Sequence, residues 1–262
     1  MRKLHAVLTS LLLISGSALA QIHDNQKGEV DVYFVRHGQT IFNQYDRVQG
    51  WSDTPLTTEG TEVARAFGVG SRAIDFTQYY SSDLGRQRET LALIMQAHHS
   101  KQMPTELEDL REVFFGGFEG LSNETMNSAA GQALGFHTHD EMTLLRQQGK
   151  MPLTQLADAI HKADEKQDAE TALQVRNRMQ RALYYMVANA LVHHDRNILA
   201  VSSGMSIGIM ISDMTDSPLK NKGMGNAAVV KIEYRDGQYN VKNIGDMHFV
   251  NDGMKVIKND RQ

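Results

Sequence analysis

The hydrophobic pattern of the chain predicts buried strands that alternate with amphipathic helices. A nearly unbroken apolar run at residues 30–35, rich in β-branched and aromatic side chains, ends at Arg36-His37-Gly38. Such a run is typical of a strand buried on both faces. In open α/β sheets, ligands bind beyond the carboxyl ends of the strands. We therefore expect His37 to lie where chemistry takes place.

The order strand, loop, helix recurs further along the chain. Residues 39–58 are polar and turn-rich, which predicts a long loop, and Thr57 or Thr58 can cap a helix that runs to about Ala73. The later predicted elements are a strand at 76–80, a helix at 84–98 capped by Ser81-Ser82-Asp83, a strand or extended segment at 107–113, a helix at 169–191, a strand at 197–203, and a loop from Gly204 into a helix that ends near Met214.

The last predicted strands and one polar segment complete the expected architecture. Residues 227–234 and 239–244 flank a Gly-containing turn, which predicts a β-hairpin. Residues 121–167 show helical fragments without a strand pattern and without a bracketing linker, which indicates a helical cap inserted into one domain spanning 21–262. The prediction is an α/β fold: a three-layer α/β/α sandwich with a mainly parallel central sheet, an antiparallel edge and a helical cap insertion.

The N-terminus has the pattern of a cleavable signal peptide. Arg2 and Lys3 precede a short apolar stretch and an Ala18-Leu19-Ala20 cleavage site. A membrane anchor is the alternative, but the apolar core is well short of the roughly 20 residues needed to span a bilayer. We expect cleavage after Ala20 and a periplasmic or secreted protein.

The composition of the mature chain limits the classes of partner that it can bind. It has no Cys, so neither disulfides nor a lipid-modified cysteine is possible. Loss of Arg2 and Lys3 lowers the formal charge of −4 by two units, to −6. This acidic balance favours neither nucleic acid nor a membrane surface as partner, and leaves the oligomeric state open. An anion site must therefore be built by local placement of arginines.

Four motifs occur in order along the chain. They are R-H-G-Q-T-I-F-N from Arg36, R-V-Q-G-W-S-D-T-P-L-T-T-E-G from Arg47, S-S-D-L-G-R-Q-R-E-T from Ser81 and L-R-E-V-F-F-G-G-F-E-G from Leu110. Together they resemble the histidine phosphatase superfamily on its phosphoglycerate-mutase-like side. The resemblance spans most of the mature chain and is weakest at 121–167.

The resemblance implies a phosphohistidine mechanism without metal or other cofactor. His37 matches the nucleophile that takes a phosphoryl group on a ring nitrogen, and a neutral imidazole is competent for that role. Arg36 and Arg86 match the arginines that clamp the phosphate, where guanidinium planes suit phosphoryl oxygens. Arg88 is expected to be solvated.

Three further residues match family positions. Asn43 and Gln49 correspond to residues that help bind the phosphate or the adjoining substrate. Glu112 corresponds to the acid that protonates the leaving oxygen and later activates water. For each matched residue, a surface salt bridge or a helix cap is the alternative interpretation.

One position departs from the family pattern. In Val201-Ser202-Ser203-Gly204, Ser203 stands where the family has a second histidine that donates to the phosphate. A hydroxyl still donates a hydrogen bond but adds no positive charge. Loss of a charge-assisted bond worth about 1.5–3 kcal/mol slows transfer by roughly 10- to 150-fold. We expect a weakened enzyme in which Ser203→His raises turnover.

The other histidines are assigned no catalytic role. His137-Thr138-His139-Asp140 offers two potential metal ligands without a third at recognisable spacing, so no metal site is expected. His193-His194 and His98-His99 are placed at the ends of helices, where cations complement the dipole. His248 stays open as a group that could approach the site.

The leading hypothesis is an exported phosphatase acting on small phosphomonoesters. A mutase is disfavoured because an exported protein would not normally meet glycolytic intermediates. The rival hypothesis is a phosphate- or phospholigand-binding protein that kept the pocket and lost turnover. The cap at 121–167 would select a substrate that the sequence does not identify.

Overall fold

A mixed β-sheet forms the centre of the protein in a computed structural model that describes residues 27–136 and 139–260. The strands are β1 (Glu29–Arg36), β2 (Gln78–Ser81), β3 (Thr105–Glu106), β4 (Asn197–Ser202), β5 (Val229–Arg235) and β6 (Gln238–Asp246). Their order in the sheet is β3-β2-β4-β1-β5-β6. Strands β3, β2, β4 and β1 run parallel to one another. Strand β5 runs antiparallel to β1, and β6 runs antiparallel to β5.

Helices cover both faces of this sheet. They are α1 (Ile41–Gln44), α2 (Thr58–Gly70), α3 (Gly85–Ala97), α4 (Asn123–Ala133), α5 (His139–Gln147), α6 (Leu153–Ala163), α7 (Ala172–His193), α8 (Gly204–Met210) and α9 (His248–Asn259). Short 3-10 helices occur at Glu108–Leu110, Gly116–Phe118 and Pro218–Asn221. This arrangement confirms the predicted α/β class with an antiparallel edge.

Strand β1 shows why the sheet needs two helical layers. Val32 and Phe34 belong to the apolar core under α4 to α8, whereas Tyr33 and Val35 belong to a second core under α2, α3 and α9. Side chains alternate between the faces of a strand, so a strand that is apolar at every position must be covered on both sides.

Helices α4 to α6 lie within the segment interpreted as a cap. Met142 and Ile160 are fully buried in the same continuous core as the residues of α7. Ser122 caps α4 by accepting a hydrogen bond from the Thr125 amide. That residues 121–167 are an insertion stays a prediction.

Three local predictions were wrong. Residues 107–113 do not form a strand: pairing ends at Glu106 and a 3-10 turn follows. Helix α3 is preceded by Leu84, without a side-chain cap, and the Asp53 carboxylate accepts from the Gly85 amide at 2.6 Å instead. Residues 197–203 are followed directly by α8 with no intervening loop, because the helix begins at Gly204.

The C-terminal helix α9 had no counterpart among the predicted elements. It packs on α2, and the backbones of the two helices approach closely at Gly253. A Cβ added to Gly253 would lie 1.8 Å from the Ala66 oxygen. Such an approach is possible only without side chains at the crossing, so glycine is required there.

Some predictions fall outside the described ranges. The signal peptide at 1–20 and the pair His137-Thr138 lie there. Among the described residues, no helix is long and apolar enough to cross a membrane, and no cluster of potential metal ligands occurs in that same part of the chain.

Candidate active site

The imidazole of His37 lies at the carboxyl end of β1, as the pattern predicted. The ring is buried, and its main-chain amide donates to the Ser202 oxygen of β4 at 3.0 Å. Nδ1 lies 2.7 Å from the Gly38 oxygen. A carbonyl oxygen can only accept, so Nδ1 carries the proton and Nε2 keeps its lone pair. Among the described residues Nε2 has no hydrogen-bond partner.

Burial and two cations set the charge of this imidazole. Desolvation, followed by the positive charges of Arg86 and Arg36, lowers the pKa of His37 well below its ordinary value of 6.5. The hydrogen bond to the Gly38 oxygen opposes this shift only in part. The ring is therefore neutral at neutral pH, which is the form that acts as a nucleophile.

The backbone around His37 is fixed by close packing. The Gly38 amide donates to Thr90 Oγ1 at 2.9 Å, and that hydroxyl donates to the Arg86 oxygen at 2.7 Å. A Cβ on Gly38 would lie 2.4 Å from the Gly60 oxygen. The chain therefore ties the His37 loop to both α2 and α3.

Arg36 and Arg86 approach His37 from different elements. Arg36 ends β1, and its Nη1 donates to the Met224 oxygen. Arg86 belongs to the first turn of α3 and is fully buried. Burial lowers the pKa of each guanidinium, and nearby carboxylates oppose that shift. Both remain cations, because the side chain of an arginine stays protonated at neutral pH.

Arg86 is tied to the loop that precedes α2 through its two terminal nitrogens. Nη1 donates to the Ser52 oxygen and to Asp53 Oδ1, both at 3.0 Å, and Nη2 donates to the Gly50 oxygen at 2.6 Å. Its Nε is buried and has no acceptor among the described residues. A buried donor without a partner is costly, so a bound anion would stabilise this nitrogen.

Glu119 holds the same loop from the other side. Its carboxylate accepts from the amides of Gly50, Trp51 and Ser52 at 2.9–3.1 Å. It also accepts from the Phe115 amide at 3.1 Å. One carboxylate therefore joins the loop around Gly50 to the segment that carries Glu112.

Glu112 lies against the first turn of α8. Oε1 accepts from the amides of Ser206 at 2.8 Å and Val113 at 2.9 Å, and Oε2 accepts from the Met205 amide at 3.2 Å. The side chain is 8 % exposed and lines the same cavity as Arg36. It is therefore oriented by main-chain donors and not by a surface salt bridge.

Asn43 and Gln49 also line this cavity. Asn43 Oδ1 accepts from the Thr40 amide at 3.3 Å in a capping box, which leaves its Nδ2 group without a partner in the described ranges. The Gln49 amide is held at both of its polar atoms: Oε1 accepts from Thr40 Oγ1 at 2.5 Å and Nε2 donates to Thr54 Oγ1 at 3.0 Å. Asn43 can therefore donate to a ligand, whereas Gln49 primarily braces the loop.

Ser203 is buried at the end of β4 beside Gln87 of α3. Its Oγ accepts from Gln87 Nε2 at 2.7 Å, and Gln87 Oε1 accepts from the Ser82 hydroxyl. Ser203 therefore keeps one O–H to donate. His248 had been left open as a group that could approach the site. It is exposed and pairs with Asp246 at 2.7 Å, and it is not among the described residues that line the cavity.

The cavity has a volume of about 470 Å³ and lies between the sheet end and the α4 to α6 helices. The described residues that line it include four cations, Arg36, Arg47, Arg146 and Lys222, and one acid, Glu112. The site thus carries a surplus of positive charge although the chain is acidic. Arg88 lies outside it, exposed and paired with Glu106, as expected.

Sequence reasoning missed several residues that organise the site. Asp53, Gln87 and Glu119 act through partners far away in the chain. All three lie inside the recognised motifs, in S-D-T-P, R-Q-R-E-T and F-E-G respectively, which is the one signal that could have found them. Arg178 of α7, which donates to the main-chain oxygens of Asp109, Arg111 and Glu112, lies outside these motifs and had no such signal.

A sequence model of the histidine phosphatase superfamily (branch 1) matches residues 32–247. Among curated proteins, a probable phosphoglycerate mutase from Proteus mirabilis (strain HI4320) is 29 % identical over 216 residues, which cover 80 % of this chain and 87 % of that protein. The family match at 32–247 covers the sheet except for the first residues of β1, and all the residues that line the cavity.

Solved structures show the same similarity. A phosphoglycerate mutase from Bacillus anthracis str. Sterne superposes with a TM-score of 0.81 and 35 % identity, covering 89 % of this chain and 99 % of that one. A mycobacterial glucosyl-3-phosphoglycerate phosphatase, solved with VO3, shares the fold with a TM-score of 0.62 at 23 % identity, covering 83 % and 99 % of the two chains.

Proposed function

The chain belongs to the histidine phosphatase superfamily, and from this premise we propose that it is an exported phosphatase that hydrolyses small phosphomonoesters through phospho-His37. The observation that carries the proposal is the state of His37. It is a buried, neutral imidazole with its proton on Nδ1, and Arg36 and Arg86 lie near it. That environment suits a nucleophile whose target is an anion.

In the first step, His37 Nε2 attacks phosphorus while the bond from phosphorus to the leaving oxygen breaks. Arg36, the free Nε of Arg86 and the Asn43 amide neutralise or hydrogen-bond the equatorial oxygens. A protonated Glu112 gives its proton to the leaving alcohol. Oε2 is the oxygen suited to carry that proton, because it accepts one long main-chain bond whereas Oε1 accepts two shorter ones.

In the second step, water attacks the phosphohistidine. The Glu112 carboxylate takes a proton from that water as the bond between nitrogen and phosphorus breaks. Inorganic phosphate leaves, and His37 returns to its neutral form with the proton still on Nδ1. Ser203, whose oxygen accepts from Gln87, donates its hydrogen to the phosphoryl group where the family has a histidine.

Export is part of the proposal and rests on the N-terminal pattern at 1–20. The mass of the protein recovered from the cell envelope or the medium tests it directly. A mature chain that starts at Gln21 supports export. A chain retained inside the cell with its N-terminus intact contradicts export and leaves the proposed phosphatase reaction unaffected.

The rival function is phospholigand binding without turnover, and Ser203 is the observation that favours it. Trapping separates the two functions: the protein is mixed with ³²P-labelled phosphomonoester, quenched in alkali and examined for acid-labile label. We expect label on the native protein, none on His37→Ala, and release of inorganic phosphate at a matching rate. Absence of label and of product from pH 4 to 8 would leave only the binding function.

The same assay addresses a mutase reaction. A mutase returns the phosphoryl group to an organic acceptor, whereas a phosphatase releases inorganic phosphate. With 2- or 3-phosphoglycerate as substrate, we expect phosphate and not the positional isomer. Accumulation of the isomer would contradict hydrolysis while retaining phospho-His37.

A further inference from the structure

The peptide group that joins His37 to Gly38 is held at both of its polar atoms. Its nitrogen, the Gly38 amide, donates to Thr90 Oγ1 of α3 at 2.9 Å. Its oxygen, which belongs to His37, accepts from Asn226 Nδ2 at 3.0 Å, and Asn226 lies in the turn before β5. A carbonyl oxygen only accepts, so the NH2 group of the Asn226 amide must face it. Two side chains from distant parts of the chain thus fix this peptide plane.

The peptide group before His37 is also held, but by main-chain partners. The His37 amide donates to the Ser202 oxygen at 3.0 Å, and the Arg36 oxygen accepts from the Ala227 amide at 3.0 Å. Bonds of this kind belong to the sheet and its turn, and they do not depend on which side chains are present. Among the described residues, Asn226 and Thr90 are therefore the side chains whose loss would release the backbone at His37.

Gly38 explains why an external restraint is needed. Its oxygen lies 2.7 Å from His37 Nδ1, the contact that fixes the position of the ring proton. Glycine has the least restricted backbone of all residues, and a side chain is excluded here because a Cβ would lie 2.4 Å from the Gly60 oxygen. A rotation of the peptide between His37 and Gly38 would carry that acceptor oxygen away from the ring. Hydrogen bonds from other elements supply the restraint that Gly38 itself lacks.

The turn that carries Asn226 is strained. Ala227 is fully buried and has a φ of 57°, in the left-handed region. A residue other than glycine adopts this conformation at an energetic cost, persists there only when its surroundings enforce it, and is found most often at functional sites. The Ala228 amide closes the turn on the Gly225 oxygen at 3.1 Å. The strained backbone is thus the conformation that places the Asn226 amide against the His37 oxygen.

We propose that Asn226 is a positioning residue for the nucleophile. By holding the peptide between His37 and Gly38, it keeps the ring proton on Nδ1 and keeps Nε2 aligned for attack on phosphorus. Asn226 contacts no reacting atom and acts through the backbone of His37. Its effect belongs to the step in which the bond from Nε2 to phosphorus forms, and not to phosphate binding. The kinetic part of this inference rests on the proposed function, whereas the state of the imidazole does not.

Asn226→Ala tests the proposal in two independent ways. Rapid-quench single turnovers with p-nitrophenyl phosphate should show phosphohistidine forming roughly 10- to 100-fold more slowly than in the native protein, because the nucleophile is misaligned. Titration calorimetry with inorganic phosphate should show little change in the dissociation constant. Nitrogen NMR of histidine-labelled protein should show the tautomer with the proton on Nδ1 in native His37, and a mixture of tautomers in Asn226→Ala.

Asn226→Asp separates positioning from a general loss of structure. The new carboxyl group has the shape of the amide, but it can donate to the His37 oxygen only while it is protonated. The rate of phosphohistidine formation, relative to the native protein at the same pH, should be low at about pH 8 and rise towards about pH 5. A loss caused by misfolding would not reverse in this way.

Asn197→Ala is the matched control. Asn197 is also partly buried, and its Nδ2 also donates to a main-chain oxygen, that of Asp75 at 3.4 Å, but it lies at the amino end of β4. This variant should keep the native rate of phosphohistidine formation and the native His37 tautomer.

Three results would each overturn the proposal. They are a native rate of phosphohistidine formation in Asn226→Ala, a native His37 tautomer in that variant, and a relative rate in Asn226→Asp that does not change with pH. Failure of the proposed function looks different, because the native protein then forms no phosphohistidine. The NMR comparison still decides in that case whether Asn226 sets the state of His37.

Discussion

Ser203 lies at the end of a row of hydrogen bonds that fills the space beside it. The Ser82 hydroxyl donates to Gln87, whose amide nitrogen donates to Ser203, and all three side chains are buried. An imidazole at position 203 would occupy the volume that the Gln87 amide now takes. The two residues therefore have to be changed together.

We predict that Ser203→His alone destabilises the protein by about 1–3 kcal/mol through overpacking. With Gln87→Ala to make room, the double variant should recover most of that loss. It should turn over phosphomonoester at least about 10-fold faster than Gln87→Ala alone, because a charged donor replaces a hydroxyl. Urea unfolding and steady-state kinetics measure the two effects.

The double variant also tests the assignment of position 203. Equal or lower turnover than Gln87→Ala would mean that Ser203 does not face the phosphoryl group. A single Ser203→His variant with native stability would show that Gln87 is free to move aside.

At the residue scale, the sequence allowed the candidate reactive groups to be predicted but not the residues that support them. His37, Arg36 and Glu112 stand at fixed positions in motifs, and the structure brings them together. Asp53 pairs with Arg86, which lies 33 residues away in the sequence. Gln87 donates a hydrogen bond to Ser203, which lies 116 residues away. Such pairings depend on the folded chain, so local patterns cannot disclose them.

At the element scale, helix α7 supports the segment that carries Glu112. Arg178 donates to the main-chain oxygens of Asp109, Arg111 and Glu112 at 2.7–2.9 Å and pairs with Glu170 at 2.7 Å. Arg178 is buried and all five of its donors are used. The hydrogen bonds from this arginine hold the main chain of residues 107–113, which has no strand pairing of its own.

We predict that Arg178→Met destabilises the protein by about 3–5 kcal/mol, because it leaves the partly buried Glu170 carboxylate without its counterion and three main-chain oxygens without their donor. Its effect on kcat should depend on the leaving group. In the proposed reaction alkyl phosphates need a proton from Glu112, so they should slow about 10-fold or more beyond any loss seen with p-nitrophenyl phosphate. Kinetics across a series of leaving groups measure this difference.

Arg181→Met is the matched control. Arg181 lies one turn further along α7 and also contacts this segment, but it is exposed and pairs with the Asp109 side chain at 2.7 Å. It should leave the leaving-group dependence unchanged. Equal slowing of alkyl and aryl substrates in Arg178→Met would reduce Arg178 to a purely structural role.

Helix α9 illustrates why one element was missed. Its apolar residues Phe249, Val250 and Ile257 do recur at helical spacing, but Gly253 interrupts the stripe and lowers helix propensity. In the folded protein that glycine is what permits contact with α2. Tertiary packing here outweighs local preference, and only the structure discloses it.

At the scale of the whole molecule, the buried His37 and the partly buried His98 couple stability to pH. Burial, followed by Arg86 and Arg36, lowers the pKa of His37. Burial, followed by Arg72 and His99, lowers the pKa of His98. Below pH 6.5 the unfolded chain therefore binds protons that the folded chain does not, and stability must fall as the pH falls.

We predict that the free energy of unfolding decreases between pH 7.5 and 5.5, with His37 contributing up to about 1 kcal/mol and the partly exposed His98 contributing less. His37→Gln should reduce this slope. Asp83 and Asp164 do not interfere, because their pKa values lie below 3.8 and they stay charged throughout the range. Urea unfolding at several pH values measures the slope, and an unchanged slope in His37→Gln would contradict the buried neutral state.

The position of β1 in the sheet has a consequence for the order in which the protein is made. Its two neighbours come late in the chain: Asp31 pairs with Asn197 of β4, and Glu29 pairs with Arg235 of β5. Until ribosomes have produced about the last quarter of the chain, residues 30–35 form an apolar strand without partners, exposed to aggregation and to chaperones. His37 is thus among the first described residues to be synthesised and among the last to reach its working environment.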